Sequence, residues 1–265
     1  DLNDNVDGPM KQALRSIITS AGGNIACEAK EDGFRCQPHF NKNNITLFSR
    51  GLTTFDHRCF PEIVDALSRL NLEHTILDAE LKGTAKGYAG FKAIQARAKY
   101  GTTSDTALRK YLSEKVPANP LELIVFDVMM YKGESQITKP YTERRKLIEE
   151  ISLQTNDRLR TSEHYLFETT DPIIALYKSI RHQNREGIVL KQPSLEYLPG
   201  DKTHWIKLKR FETLDLALVG FYRTPAGKNT PAQKFGKALV AAYEPKRAMF
   251  QTIGIVNLVR NNPLT

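Results

Sequence analysis

An α+β fold of mixed, largely antiparallel sheets with flanking helices is predicted by three features of the sequence. Short apolar, β-branched runs recur along most of the chain. Helical stretches fall between them without the strict strand–helix–strand alternation of a doubly wound sheet. From about Arg210 onward the helices stop, and strands alternate only with loops and turns.

Each element has a local reason. Pro9–Ser20 reads as a helix, with Met10, Leu14, Ile17 and Ile18 on one face and Gly22-Gly23 as its stop. Ile25–Ala29 reads as a strand, Asp32-Gly33 as a tight turn and Phe34–Gln37 as the returning strand of a hairpin. Further strands are expected at Ile45–Phe48, Thr75–Leu81, Leu121–Met129, Gly187–Leu190, Trp205–Leu208 and Leu214–Tyr222. Helices are expected at Phe60–Leu70 and Phe91–Tyr100, and at Asp105–Lys115 behind an N-cap Ser104. Thr142 reads as the cap of Glu143–Ile151, and Asp171-Pro172 opens Ile173–His182.

Two domains are expected, residues 1–210 and residues 211–265. The second reads as strand Leu214–Tyr222, a Gly/Pro-rich loop Thr224–Pro231, strand Lys237–Tyr243, turn Glu244–Arg247 and strand Met249–Ile255. That meander resembles the opening of a small β-barrel and is too short to close one.

Composition narrows the function. The 265 residues are 40% hydrophobic, enough for a buried core. No run approaches the ~18 apolar residues of a membrane helix, so a membrane-spanning protein is excluded. The start at Asp1 has neither an initiator Met nor the layout of a signal peptide, and reads as a fragment. Lys and Arg number 38 against 30 Asp and Glu, a net +8 that suits a polyanionic partner. Cys27, Cys36 and Cys59 are an odd set without metal spacing, which points to a reducing intracellular compartment and to no structural zinc.

The segment Cys27–Arg35 concentrates chemistry. Its pattern E-x-K-x-D-G-x-R arises by chance in only about one in several thousand chains of this length. It puts Lys30 at the lip of a sheet. A lysine attacks only as the free amine, which cationic neighbours such as Arg35, Lys207 and Lys209, a metal ion and partial desolvation would each favour. Such an amine beside a nucleotide can attack the α-phosphate and expel pyrophosphate, chemistry that needs positioning and charge neutralisation. The remaining parts are present. Asp78 and Glu80 share one face of a strand, opposite Leu77 and Leu81. Glu186 stands where another strand begins, and carboxylates so placed suit Mg²⁺. Lys207 and Lys209 alternate with core-facing Ile206 and Leu208. Arg50 ends a strand within reach of a ribose or phosphate, and Phe126 offers a ring for a base.

The ordered series Glu28–Arg35, Phe48–Gly51, Leu77–Glu80, Val125–Val128, Arg185–Lys191 and Trp205–Lys209 resembles the motifs of ATP-dependent DNA ligases, within the covalent nucleotidyltransferase superfamily. Tyr131–Glu134 and Tyr197–Gly200 resemble ligase text as well. The resemblance implies a nucleotidyltransferase (adenylation) fold over residues 1–210 and the N-terminal part of an OB-fold domain over residues 211–265. It implies that Lys30 carries the covalent AMP and that Glu28 reads adenine. Arg35 and Arg50 would hold the ribose and phosphate, with Arg50 also near the 5′-phosphate of a nick. Asp32 would lie near the reacting DNA ends, Glu80 would meet ribose or metal, Phe126 would stack on the base and Glu186 would bind metal. Lys191, Lys207 and Lys209 would neutralise the α-phosphate. ATP, Mg²⁺ (or Mn²⁺) and nicked duplex DNA are the implied co-substrate, metal and partner. A monomer is expected, in the cytoplasm or nucleoid of a prokaryote or the nucleus of a eukaryote.

The basic motif that closes the OB domain in that family is not found before Thr265, so slow self-adenylation and weak encirclement of DNA are expected. Two rivals stay open: an RNA ligase or GTP-using capping guanylyltransferase, and a nucleic-acid-binding module without catalysis. Glu28 before Lys30 and the Trp205–Lys209 text favour the DNA ligase. Binding alone does not need Lys30, Glu80 and Glu186 together.

Overall fold

The computed structural model describes residues 7–42, 44–84, 88–152, 157–200, 204–209, 214–224 and 233–258. The chain divides into two compact units, Asp1–Arg210 and Phe211–Thr265.

The first unit opens with α1 (Asp7–Ser20), followed by β1 (Ile25–Lys30), β2 (Phe34–Asn41), β3 (Asn44–Ser49) and β4 (Thr54–Phe55). Then come α2 (Pro61–Ser68), β5 (Thr75–Gly83), α3 (Tyr88–Tyr100), α4 (Asp105–Ala118), β6 (Leu121–Tyr131) and β7 (Glu134–Ser135). The unit closes with α5 (Tyr141–Ser152), β8 (Leu159–Thr161), β9 (His164–Phe167), α6 (Thr170–His182), β10 (Gly187–Lys191) and β11 (Trp205–Lys209).

These strands form two sheets. The first has the order β11-β10-β1-β9 and is antiparallel throughout. The second runs β4-β3-β2-β5-β6-β7, antiparallel, with β8 added parallel to β6. Each sheet has its own core. Leu14 and Ile18 of α1 and Ile173 and Tyr177 of α6 cover Ile25, Cys27, Ile188 and Leu190 of the first. Ile63 and Leu67 of α2, Ile94 of α3, Leu108 of α4 and Ile148 of α5 cover Leu77, Leu81, Leu123 and Val125 of the second. The α+β class, with antiparallel sheets and flanking helices, is therefore as the sequence predicts.

The expected hairpin across Asp32-Gly33 does not form. β1 pairs with β9 and β10, whereas β2 pairs with β3 and β5. The chain leaves one sheet and enters the other between Lys30 and Phe34. Gly33 serves a close approach and not a left-handed turn: a Cβ there would lie 2.3 Å from the Leu81 carbonyl oxygen. Gly187 meets the same constraint, since its Cβ would lie 2.1 Å from the Leu208 carbonyl oxygen.

Three smaller expectations also change. α5 begins at Tyr141, directly after Pro140, so Thr142 lies inside the helix and does not cap it. α6 starts at Thr170, which puts Asp171 and Pro172 within its first turn. The short strands β4, β7, β8 and β9 carry too few residues for a periodicity to reveal them. Ser104 caps α4 as expected, accepting from the Ala107 amide at 3.4 Å.

In the second unit, β12 (Ala217–Thr224), β13 (Gln233–Glu244) and β14 (Met249–Asn257) form an antiparallel meander. Beyond Thr224, the Gly/Pro-rich loop expected between the first two strands falls outside the described residues. No helix among the described residues is long and apolar enough to cross a membrane. Cys27, Cys36 and Cys59 are buried free thiols. Burial pushes Cys27 up to about 12 and Cys59 to about 11, so neither is a nucleophile near neutral pH.

Candidate active site

Both sheets of the first unit contribute walls to one cavity of about 450 Å³. Lys30 lies on it because β1 ends there, opposite Gly187 of β10 in the antiparallel register. Its side chain is 20% exposed, open enough for a ligand to reach and closed enough to be oriented. Lys30 Nζ donates to Glu186 Oε2 at 2.5 Å. Lys209 Nζ donates to the other oxygen, Oε1, at 3.3 Å. Burial alone would raise the Glu186 carboxyl, but the bonds from Lys30 and Lys209 hold it below its ordinary value. The hydrogen-bonded partner of Lys30 is thus a carboxylate, while the charge of Lys30 also acts on Lys207.

Opposite Lys30 lies Glu80 of β5, which also lines the cavity. Burial pushes its carboxyl up to about 7, against the lowering charges of Lys30 and Arg35. It has no hydrogen-bond partner among the described residues. A recessed carboxylate in that condition fits a cation. No cluster of three or more His, Cys, Asp or Glu suited to a metal occurs among the described residues. Mg²⁺ does not require one, because it commonly takes one or two carboxylates together with phosphate oxygens.

The aromatic wall is more elaborate than the sequence suggests. Phe126 of β6 meets Trp205 of β11 edge-on, their ring centroids 5.7 Å apart. Between them sits the buried Lys191 ammonium, 4.3 Å from the Trp205 ring, 5.3 Å from Phe126 and 4.8 Å from Tyr141. Lys191 donates to Glu28 Oε1 at 2.8 Å and to the Phe126 carbonyl at 3.1 Å. Tyr141 of α5 donates its hydroxyl to the same Glu28 oxygen. Burial and the Glu28 carboxylate both push the Tyr141 phenol up, which keeps it a donor. Lys191 therefore reaches the cavity wall with its ammonium already bonded to Glu28.

The other expected residues are placed as follows. Arg35 of β2 donates through Nε to Asp78 Oδ1 at 2.8 Å and through Nη2 to the Tyr197 hydroxyl at 2.6 Å, while its guanidinium lies 6.0 Å from the Phe126 ring centroid. Arg50, just past the end of β3, and Lys207 of β11 are exposed on the cavity rim. Partial burial, and then the charges of Lys30, Arg50 and Lys209, lower the Lys207 ammonium from its ordinary value. This cationic corner suits phosphate oxygens. Asp32 is exposed and stands off the cavity wall.

The fold thus gathers Lys30, Glu28, Arg35, Arg50, Glu80, Phe126, Lys191 and Lys207 on one cavity, and brings Glu186 to Lys30 and Lys209 to Glu186. Three contributors went unassigned in the sequence. Trp205 belonged to a motif, but nothing in its strand pattern pointed it at Phe126. Tyr141 bonds Glu28 across 113 positions, and Tyr197 bonds Arg35 across 162, separations at which no local pattern speaks.

The chain is similar to known proteins in sequence and in fold. The family profile described as "ATP dependent DNA ligase domain" matches residues 9–209. A DNA ligase of Thermococcus fumicolans is 31% identical over 250 residues, which cover 92% of this chain and 42% of that protein. A probable DNA ligase of Dictyoglomus turgidum is 30% identical over 267 residues, covering 94% of this chain and 43% of that protein. The chain spans less than half the length of these relatives. Among solved structures, the ATP-dependent DNA ligase of bacteriophage T7 in complex with ATP superposes with a TM-score of 0.56 at 16% identity, covering 91% of this chain and 77% of that one. The ligase domain of M. tuberculosis LigD gives 0.51 at 21% identity, covering 88% of this chain and 67% of that one. The structural likeness is one of fold.

Proposed function

We propose a three-step reaction for this chain, which belongs to the ATP-dependent DNA ligase family. Lys30 Nζ, once deprotonated, attacks the α-phosphorus of ATP; a P–N bond forms and the bond to pyrophosphate breaks. The 5′-phosphate of a nick in duplex DNA then attacks the AMP phosphorus, and the lysine leaves. Finally the 3′-hydroxyl attacks the 5′-phosphorus, sealing the strand and releasing AMP. The observation that carries this reading is the position of Lys30: at the end of a strand, on a cavity with Phe126 and Glu28, and bonded to Glu186.

Roles follow from chemistry and place. Phe126 supplies a stacking face and Glu28 an acceptor for the base. Arg35 borders the sugar, while Arg50, Lys207 and Lys209 face phosphate charge, with Lys191 acting through Glu28. Asp32 and Arg50 would position the DNA ends. Glu80 and Glu186 would hold Mg²⁺, or Mn²⁺ in its place, which would neutralise phosphate charge. Withdrawing the Glu186 carboxylate from Lys30 is part of freeing the amine. Residues 1–210 act as the adenylation domain and residues 211–265 as the N-terminal part of an OB-fold domain. The protein works as a monomer in an intracellular, reducing compartment, and its net +8 favours DNA.

The test is intact mass before and after incubation with ATP and Mg²⁺, beside Lys30→Ala. An AMP-sized gain that the variant lacks is the expected result. A gain with GTP in preference to ATP would turn the reading to a guanylyltransferase.

A further inference from the structure

Glu31 follows the nucleophile directly and has no part in the reaction above, yet its side chain is only 4% exposed. A buried carboxylate is costly unless cations bond to it. Glu31 receives them from two strands and a connection: Lys82 of β5 at 2.7 Å, Arg160 of β8 at 3.2 Å and Arg185, just ahead of β10, at 2.6 Å. Burial alone would raise its carboxyl, but Lys82, Arg160 and Arg185 lower it instead.

Two features tie this cluster to the nucleophile. Lys82 and Arg160 belong to the second sheet and Arg185 leads into the first, so Glu31 joins the sheets at the point where the chain crosses between them. Lys30 bonds Glu186 while Glu31 bonds Arg185, so two consecutive residues grip two consecutive residues with opposite polarity. The Arg185–Glu186 side is itself anchored: Arg181 of α6 donates to the Arg185 carbonyl at 2.9 Å and the Glu186 carbonyl at 3.4 Å. Arg185 also faces Glu163 at 3.5 Å.

We infer that Glu31 is a positioning residue for Lys30, fixing the backbone from which the nucleophile projects. The inference rests on the reaction proposed above. Removing the charge of Glu31 leaves Lys82, Arg160 and Arg185 converging on a neutral group. Arg160 keeps Glu122 at 3.2 Å and Arg185 keeps Glu163 at 3.5 Å, so the sheets stay together while the backbone at Lys30 loses its anchor, and a misplacement of about 1 Å is enough to slow a reaction about a hundredfold.

The test uses Glu31→Gln, which keeps shape and loses charge. Formation of the AMP adduct on Lys30 should slow by roughly 10- to 100-fold. Sealing of a pre-adenylated nick, a step in which Lys30 makes no bond, should stay within about twofold of wild type. Parallel loss of both activities overturns the inference, because it marks general damage to the fold; retention of both overturns it as well. Should Glu31→Gln fail to fold, Arg185→Gln, which leaves Lys82 and Arg160 on Glu31, must show the same selective loss. Wild type run in parallel separates the two readings: if it forms no adduct, the reaction itself is wrong, and this role with it.

Discussion

Arg144 sets its guanidinium against both oxygens of Asp127, at 2.8 and 3.0 Å, with neither side chain exposed. The pair joins α5 to β6, next to Phe126, and Arg144 also donates to the Lys139 carbonyl at 2.5 Å. A buried pair of this kind adds little over an apolar contact, but breaking it strands a charge. Arg144→Met should cost about 3–5 kcal/mol, read from urea unfolding, and a second change, Asp127→Leu, should recover much of the loss.

Gly33 crosses β5 too closely for any side chain. Gly33→Ala puts a Cβ 2.3 Å from the Leu81 carbonyl oxygen, a backbone atom that cannot swing aside. We expect destabilisation of about 3 kcal/mol or more. Gly51→Ala is the internal control. A Cβ there meets nothing within 4 Å, so its unfolding free energy should match wild type to within about 0.5 kcal/mol.

His39 of β2 lies with its ring 4.4 Å from that of Phe48, and its buried Nε2 has no partner. Burial lowers its imidazole below the ordinary value of 6.5. The unfolded chain then binds the proton more readily than the native one, so this group contributes stability above pH 6.5 that is lost as pH falls through and below it. An NMR titration should place the His39 midpoint below 6.5, and His39→Phe should flatten the acid limb of stability against pH.

Phe126→Ala removes the ring on which a base would stack. A base–aromatic stack is worth about 1–3 kcal/mol, so the ATP concentration for half-maximal adduct formation should rise by roughly 5- to 150-fold. The rate at saturating ATP should change far less, because Phe126 makes no bond to the reacting phosphorus.

The sequence showed these parts unevenly, for physical reasons. Helices such as α1 and α6 announce themselves through an apolar stripe with stops or caps, and β5 through alternation that puts Glu80 and Leu81 on opposite faces. The segment around Lys30 was legible as a candidate site because its charged and polar residues lie next to one another in sequence. Asp32-Gly33 misled, because the signal for a two-residue turn also serves a chain passing close beneath another strand. Glu31 was silent for a different reason. A glutamate at a strand end ordinarily reads as solvated, and its burial depends on Lys82, Arg160 and Arg185, which lie 51, 129 and 154 positions away. Arg144 and Tyr141 escaped notice in the same manner, since their partners sit on other elements.

The central place of β1 in its sheet has a consequence for biosynthesis. Its neighbours on either side are β9 and β10, and the bond from Lys30 to Glu186 spans 156 positions. A growing chain that has released Lys30 from the ribosome therefore has nothing to pair it with until nearly the whole first unit has been made. Contacts so distant are also the slow ones in folding. The Lys30 amine acquires its partner late, when the cavity it lines is already being walled in, and a half-made chain carries the motif without the fold that completes it.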